Sequence, residues 1–231
     1  MKEKNTQLYL PKGEWLNSML VAFKRAGLEI QAQPRSYEYK FVSSTIPIVF
    51  EAIRSKEVWE DITDPNTTAN GGFTGTDIIE EQNINTKDRW TFPLYELESD
   101  DTIFPRPRIC LGSTPNCRDA ISNPKINDLE NKIIYTSYPE ITKKFFTKKG
   151  INVEIVEKQG AIEGRWRTNI NNWGIVDVVS TGKTLKANNI KIMEEIFSAE
   201  IDYIGGPNIS YKDQVRVEDL REKLYLASKK N

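Results

Sequence analysis

The chain has 231 residues, with 32 Lys and Arg against 33 Asp and Glu, two cysteines and no histidine. The missing histidine excludes Ser-His-Asp and Cys-His catalysis and histidine-ligated zinc or iron, because imidazole is the usual side chain poised near neutral pH. A net charge of -1 argues against a general nucleic-acid surface, and no apolar run approaches the ~18 residues of a membrane span.

Thr6–Leu10 reads as a short strand stopped by Pro11-Lys12-Gly13. Glu14–Ala26 then carries Leu16, Met19, Leu20 and Phe23 at helical spacing and ends at Gly27. Tyr37–Val42 and Ile46–Phe50 form two strands joined by Ser43-Ser44-Thr45. A short helix is expected over Arg54–Ile62, a turn-rich stretch over Thr63–Gly72, and another short helix over Asp77–Glu81. Asn83–Pro107 is polar and broken by prolines, and reads as a long connection or an irregular edge hairpin. Ile109–Leu111 and Lys132–Thr136 are strands, and Pro139–Lys149 is a helix closed by Gly150. Val153–Val156, Gly160 and Glu163–Thr168 give strand, turn and short helix. Trp173–Val179 is the apolar run of a buried parallel strand. Ile190–Ile204 contains a helix or strand that returns, and Val217–Ser228 is a C-terminal amphipathic helix. Strands alternating with helices predict an α/β fold with mostly parallel sheets.

The chemistry concentrates in Gly174-Ile-Val-Asp177-Val-Val-Ser180-Thr-Gly-Lys-Thr-Leu185. A buried strand runs into a loop of small hydroxyl residues and glycine, with a helix expected to follow. Backbone N–H groups and hydroxyls then converge at a helix start, where the dipole favours an anion. A nucleotide P-loop needs glycine at position 177, which is aspartate, so that grammar fits poorly. An acidic residue followed by Ser-Thr-Gly-x-Thr fits a phosphoribosyl-diphosphate loop better. A plain polar turn after a core strand is the third reading.

The same segment resembles the signature of the ATP phosphoribosyltransferase family, whose reaction opens histidine biosynthesis. Leu10-Pro-Lys-Gly13 with Ala26-Gly27-Leu28 is similar to that family's opening. Arg54 with Glu57 resembles its R-x-x-D step. Ala69-Asn-Gly-Gly-Phe-Thr-Gly-Thr-Asp77 with Glu80-Glu81 resembles ADLGITGxDxLxE. Lys132-Ile-Ile-Tyr-Thr-Ser-Tyr-Pro139, then Lys149-Gly150-Ile151, resembles RIATSYP…KGI, and Gly160-Ala-Ile-Glu163 stands where the family has GSVE. These motifs run in order over residues 8–205.

The resemblance implies two α/β lobes of the type II periplasmic-binding-protein kind with a cleft between them. Lobe I is expected from residues 1–106 plus 188–231 and lobe II from 107–187, with crossings at Pro105–Arg108 and Lys186–Asn189. It implies a short-form enzyme in which adenine N1 of ATP displaces pyrophosphate from C1′ of phosphoribosyl diphosphate. The substrate brings its own nucleophile, so a chain without histidine suffices. Ser180, Thr181, Gly182, Lys183, Thr184 and Leu185 would bind phosphoribosyl diphosphate. Asp177 would face the ribose, Lys12 and Arg54 the pyrophosphate, and Gly75, Thr76, Asp77 and Glu163 the acceptor. Mg2+ would arrive on the pyrophosphate, with no metal ligand from the protein. A histidyl-tRNA-synthetase-like regulatory subunit, an oligomeric state and a cytoplasmic location are also implied, with neither nucleic acid nor membrane as partner. MKEKNTQLYLPKGEW has no apolar signal core, and Cys110 and Cys117 read as reduced thiols, the first buried and the second exposed.

Departures from the family fall at polar positions. Glu14 stands for the arginine of PKGRL, where a desolvated anion would repel a polyanionic ligand by several kcal/mol. Asn70 replaces the aspartate of ADLGI, Ala161 the serine of GSVE, Trp173 the aspartate of ADAI, and Ile103-Phe-Pro-Arg-Pro-Arg-Ile-Cys110 the glycine-rich LGFGxCRL. Drift with function intact, a paralogue with another acceptor, and a non-catalytic sugar-phosphate-binding homologue therefore stay open. Trp166 and Trp173 beside Arg165 and Arg167 suit a planar acceptor or the core. Arg106 and Arg108 suit a phosphate or a solvated hinge. Lys143, Lys144, Lys148 and Lys149 suit the wet face of a helix, and the adjacent Glu80 and Glu81 point apart on theirs.

Overall fold

The computed structural model describes residues 5–33, 37–42, 46–99, 101, 103–158, 160, 162, 164 and 171–229. The chain begins with β1 (Thr6–Pro11), α1 (Glu14–Arg25), β2 (Ile30–Ala32), β3 (Glu38–Phe41), β4 (Ile48–Ile53), a 3-10 turn at Ser55–Glu57, α2 (Val58–Thr63), β5 (Gly71–Gly75), α3 (Thr76–Glu81) and β6 (Arg89–Thr91). There follow β7 (Arg108–Ser113), α4 (Pro115–Ala120), β8 (Ile133–Thr136), α5 (Pro139–Lys149), β9 (Glu154–Glu157), β10 (Asn172–Val179), α6 (Lys183–Ala187) and β11 (Lys191–Ser198). The chain closes with β12 (Ile201–Gly205) and α7 (Tyr211–Ser228).

Two units result. The first comprises residues 1–79, 84–104 and 200–231, and the second residues 80–83 and 105–199. The first unit is built on a seven-stranded sheet in the order β2-β3-β4-β1-β5-β12-β6. Its centre, β4-β1-β5, is parallel, and β12 and β6 add antiparallel beyond it. Those central strands are nearly all buried, as expected where helices cover both faces. Phe23, Phe50, Phe73, Phe92 and Tyr203 anchor one core together with Leu220 and Leu224 of α7. Val58, Ile62, Ala69, Ile79 and Ile204 form a second cluster around α2 and α3. Several of these rings meet edge to face, as Phe23 and Phe92 do at 5.2 Å between centroids, a geometry that the ring quadrupole favours.

The second unit holds a five-stranded sheet in the order β11-β7-β10-β8-β9. β8, β9 and β10 are parallel, and β7 runs antiparallel to β10 and β11. Cys110, Tyr135, Ile162, Ile175, Val179, Leu185 and Ile190 form its core.

The α/β class and most elements agree with the sequence reading, and the differences have physical causes. Ile190–Ile204 is two strands, β11 and β12, rather than one returning element. The chain therefore leaves the second unit between Ala199 and Glu200, not at Lys186–Asn189. Strand β11, expected in lobe I, pairs along its length with β7. Trp173–Val179 is a strand as expected, but only Gly174, Ile175, Val176 and Val179 are buried while Val178 is exposed, and it has a parallel neighbour on one side only. Cys117 is buried rather than exposed, because its helix α4 turns inward after Thr114, whose hydroxyl accepts from the Cys117 N–H. Burial pushes the thiols of both Cys110 and Cys117 up. The short helix expected over Glu163–Thr168 and the Ser43-Ser44-Thr45 turn lie outside the described residues.

Candidate active site

Parallel strands present their C-terminal ends on one edge, and ligands of α/β sheets gather there. In the first unit the register pairs Pro11 with Ile53, so Lys12 and Arg54 follow on adjacent strand ends. The Lys12 N–H donates to the Ile53 carbonyl at 2.7 Å. The Arg54 side chain is 80% exposed and meets Glu57 at 3.3 Å. The Lys12 ammonium stands 4.0 Å from the centre of the Tyr37 ring. Glu14 is the exposed first residue of α1. There a carboxylate complements the helix dipole, and solvent screens it, so the repulsion expected of a desolvated anion does not apply.

Gly75, Thr76 and Asp77 close β5 and open α3, and all three are buried. Thr76 accepts from the Glu200 N–H with its hydroxyl and donates its own N–H to the Glu200 carbonyl, each at 2.9 Å. Its polar groups thus hold the junction into β12. A Cβ at position 75 would run into the Asp77 carboxylate unless that side chain moved.

In the second unit, β8 and β10 are parallel with Val176 opposite Thr136. Ser137 and Asp177 follow side by side, and the Ser137 hydroxyl donates to Asp177 Oδ1 at 2.8 Å. That oxygen also accepts from the Val178 N–H at 2.8 Å. Two bonds therefore fix the carboxylate at the strand end. Beyond it, Ser180–Gly182 turns the chain into α6. Gly182 sits at φ 70° in the left-handed region, a conformation that glycine adopts at no steric cost. Thr181, Lys183 and Thr184 are exposed and Ser180 is half-buried. Thr181 Oγ1 accepts from the Lys183 N–H at 3.4 Å. Leu185 buries its side chain in the second core, so only its backbone can serve a ligand. Lys158, which follows β9, donates its N–H to the Thr136 carbonyl at 2.9 Å and adds a cation to this edge.

The sequence reading thus grouped Lys12 with Arg54, and Asp177 with the Ser180–Thr184 loop, and each group is brought together within its unit. It missed Tyr37, Ser137 and Lys158. The Ser137 signal was present in the Thr-Ser-Tyr-Pro motif, whereas Tyr37 and Lys158 carry no local pattern. Glu163, Ala161, Arg165, Trp166 and Arg167 lie outside the described residues.

Three other features leave the site. Asn70 accepts from the Gln7 N–H at 3.0 Å and donates to Asp213 at 3.3 Å, at the opposite end of the sheet from Lys12. An aspartate there would face Asp213, so this departure from the family motif is a packing adjustment. Glu81 caps α5, accepting from the N–H groups of Glu140 and Ile141 at 3.0 Å each. Trp173 is half-exposed beneath Lys132, whose ammonium lies 4.1 Å from its ring. A groove of about 630 Å³ between α5 and β11, lined by Ile141, Phe145, Ile196 and Phe197 with Lys148 at its rim, holds none of the predicted site residues.

The first-unit edge offers cations to a polyanion. The second-unit edge offers hydroxyls, amides and one fixed carboxylate. Among the described residues no three Asp, Glu or Cys side chains gather as metal ligands.

Comparison with known proteins places the chain among relatives. A sequence profile of the ATP phosphoribosyltransferase family matches residues 54–225. The ATP phosphoribosyltransferase of Caldanaerobacter subterraneus subsp. tengcongensis is 30% identical over 216 residues, covering 93% of each chain. A structure of the ATP phosphoribosyl transferase (HisG:HisZ) complex from Thermotoga maritima superimposes with a TM-score of 0.68 at 22% identity, covering 98% of this chain and 100% of that one. A Bacillus subtilis protein described as an amino-acid transporter extracellular-binding protein gives a TM-score of 0.51 at 12% identity, covering 99% and 98%. The fold class is thus shared with binding proteins of that kind.

Proposed function

Because this chain belongs to the ATP phosphoribosyltransferase family, whose reaction is the first step of histidine biosynthesis, we propose how its residues divide that reaction. The loop Ser180–Thr184 takes the 5′-phosphate of phosphoribosyl diphosphate, with hydroxyls, first-turn amides and Lys183 as donors. Asp177, held by Ser137, accepts from a ribose hydroxyl. Lys12 and Arg54 stabilise charge on the departing pyrophosphate, and magnesium arrives as part of that substrate. The bond that forms joins adenine N1 of ATP to C1′; the bond that breaks is C1′–O, with its electron pair leaving on pyrophosphate. A ring nitrogen brings its own lone pair, so positioning and charge stabilisation suffice without a protein base.

The observation that carries the reading is the Ser180–Thr184 loop: a left-handed Gly182 opens it at the end of a core strand, beside a carboxylate fixed by two hydrogen bonds. The solvated position of Glu14 and the packing role of Asn70 support ATP as acceptor, since neither departure then opposes it. The resemblance to a chain of the Thermotoga complex supports a regulatory subunit as partner.

The test incubates the protein with phosphoribosyl diphosphate, magnesium and ATP, with and without a regulatory subunit. Formation of N1-phosphoribosyl-ATP, followed by its ultraviolet absorbance, is expected. Tight binding of phosphoribosyl diphosphate with no product would point to another acceptor, and no binding at all would overturn the transferase reading.

A further inference from the structure

We propose that Tyr37 is a positioning residue for Lys12: its ring holds the Lys12 ammonium across the end of β4, so that the pyrophosphate group meets a cation already in place. The proposal rests on the assignment of Lys12 given above.

Tyr37 is 65% exposed, yet its backbone is anchored. Its carbonyl accepts from the Ala52 N–H at 2.9 Å, while the Lys12 N–H donates to the neighbouring Ile53 carbonyl at 2.7 Å. The two residues therefore flank the last turn of chain in β4 from opposite sides. Neighbouring strands lie ~4.8 Å apart, which puts the two backbones roughly 10 Å apart. The lysine stem crosses that interval to bring its ammonium 4.0 Å from the ring centre.

The adjacent strand end carries Arg54, itself paired with Glu57. Each of these neighbouring cations thus has its own partner, and the partners differ in kind. A carboxylate beside Lys12 would compete with the incoming anion and cancel its field. A ring face attracts the cation through its quadrupole while carrying no net charge, so the field offered to a ligand stays positive. Lysine loses much rotamer freedom when fixed, and here that loss is incurred on folding rather than on binding.

The experiment measures dissociation constants of phosphoribosyl diphosphate with magnesium, and of ribose 5-phosphate, for Tyr37→Leu, Tyr37→Phe, Lys12→Met and the double variant Lys12→Met/Tyr37→Leu of the full chain. Tyr37→Leu is expected to weaken phosphoribosyl diphosphate about two- to five-fold, the span of an exposed cation–ring contact. It should leave ribose 5-phosphate unchanged, with Phe restoring the parent value. Added to Lys12→Met, the Leu substitution should have no further effect. If Lys12→Met weakens binding while Tyr37→Leu is silent, or if Tyr37→Leu tightens it, the inference fails alone. If Lys12→Met is itself silent, the assignment of Lys12 fails and the inference falls with it. A melting curve matching the parent's checks that each variant is folded.

Discussion

Thr184 illustrates how a residue proposed to meet the ligand separates from a structural one. Its hydroxyl is exposed, and the bonds it makes to Asn188 run through its carbonyl. Thr184→Ala should therefore weaken phosphoribosyl diphosphate binding while changing stability by no more than about 0.5 kcal/mol, as surface substitutions do; isothermal calorimetry and thermal denaturation check the two halves. Asn70 predicts the reverse. Asn70→Asp, which restores the family's residue, places a carboxylate against Asp213 in place of a donor. It should cost about 1–2 kcal/mol of stability, recovered by adding Asp213→Asn, with denaturant titration as the measurement. The pairing of Lys12 with Arg54 was legible only through the family resemblance of the Leu10-Pro-Lys-Gly13 and Arg54/Glu57 motifs, since the strand read as ending at Phe50 in fact runs on to Ile53. The Asn70–Asp213 bond was not, because its partners stand 143 residues apart and neither belongs to a periodic pattern.

At the scale of elements, two termini of helices are held by side chains from distant segments. Glu81 caps α5, whose own N-cap residue, Tyr138, makes no side-chain cap. Glu81→Ala should cost about 1 kcal/mol, read from the shift in thermal midpoint. At the start of α7, Asp213 accepts from Thr6 and Ser210, each at 2.6 Å, and pairs with Arg216 at 3.4 Å. Burial pulls its carboxyl up, but the hydrogen bonds of Ser210 and Thr6 and the Arg216 guanidinium outweigh that and hold it below the usual value. A depressed carboxyl binds its proton more weakly in the folded state. Its stabilisation is complete at neutral pH and declines as pH falls below about 4. Denaturant titrations at pH 7 and pH 3 should show that decline in the parent and a smaller one in Asp213→Asn. The helix Pro139–Lys149 was read from the sequence with its observed bounds, since proline opens it and glycine closes it. β11 and β12 were run together because a short apolar stretch does not distinguish strand from helix. α4 has only six residues, too few for a period.

At the scale of the molecule, the two units are unequal in construction. Every strand of the five-stranded sheet lies between Pro105 and Ala199, whereas the seven-stranded sheet needs segments from both sides of that stretch. Residues 105–199 expressed alone should therefore fold cooperatively. They should be less stable than in the whole chain by about the 1 kcal/mol of the missing Glu81 cap. A sigmoidal melt followed by circular dichroism supports this; a gradual loss of signal overturns it. The α/β class and the turn from β10 into α6 were legible from residues close in sequence. The later crossing was misplaced by the length of β11, because its pairing with β7 is a long-range fact.

The order β5-β12-β6 in the first sheet has a consequence for synthesis. β6 is made early, but its only described sheet neighbour is β12, which the ribosome supplies more than a hundred residues later. Until then Trp90 and Phe92 lack the strand they will pack beside, while the second unit's strands emerge as one continuous set and can close first. Domains emerging in order usually fold in order; here the segment that begins first finishes last. A chaperone acting on the nascent chain would therefore find its apolar target around residues 89–92, waiting for residues 201–205.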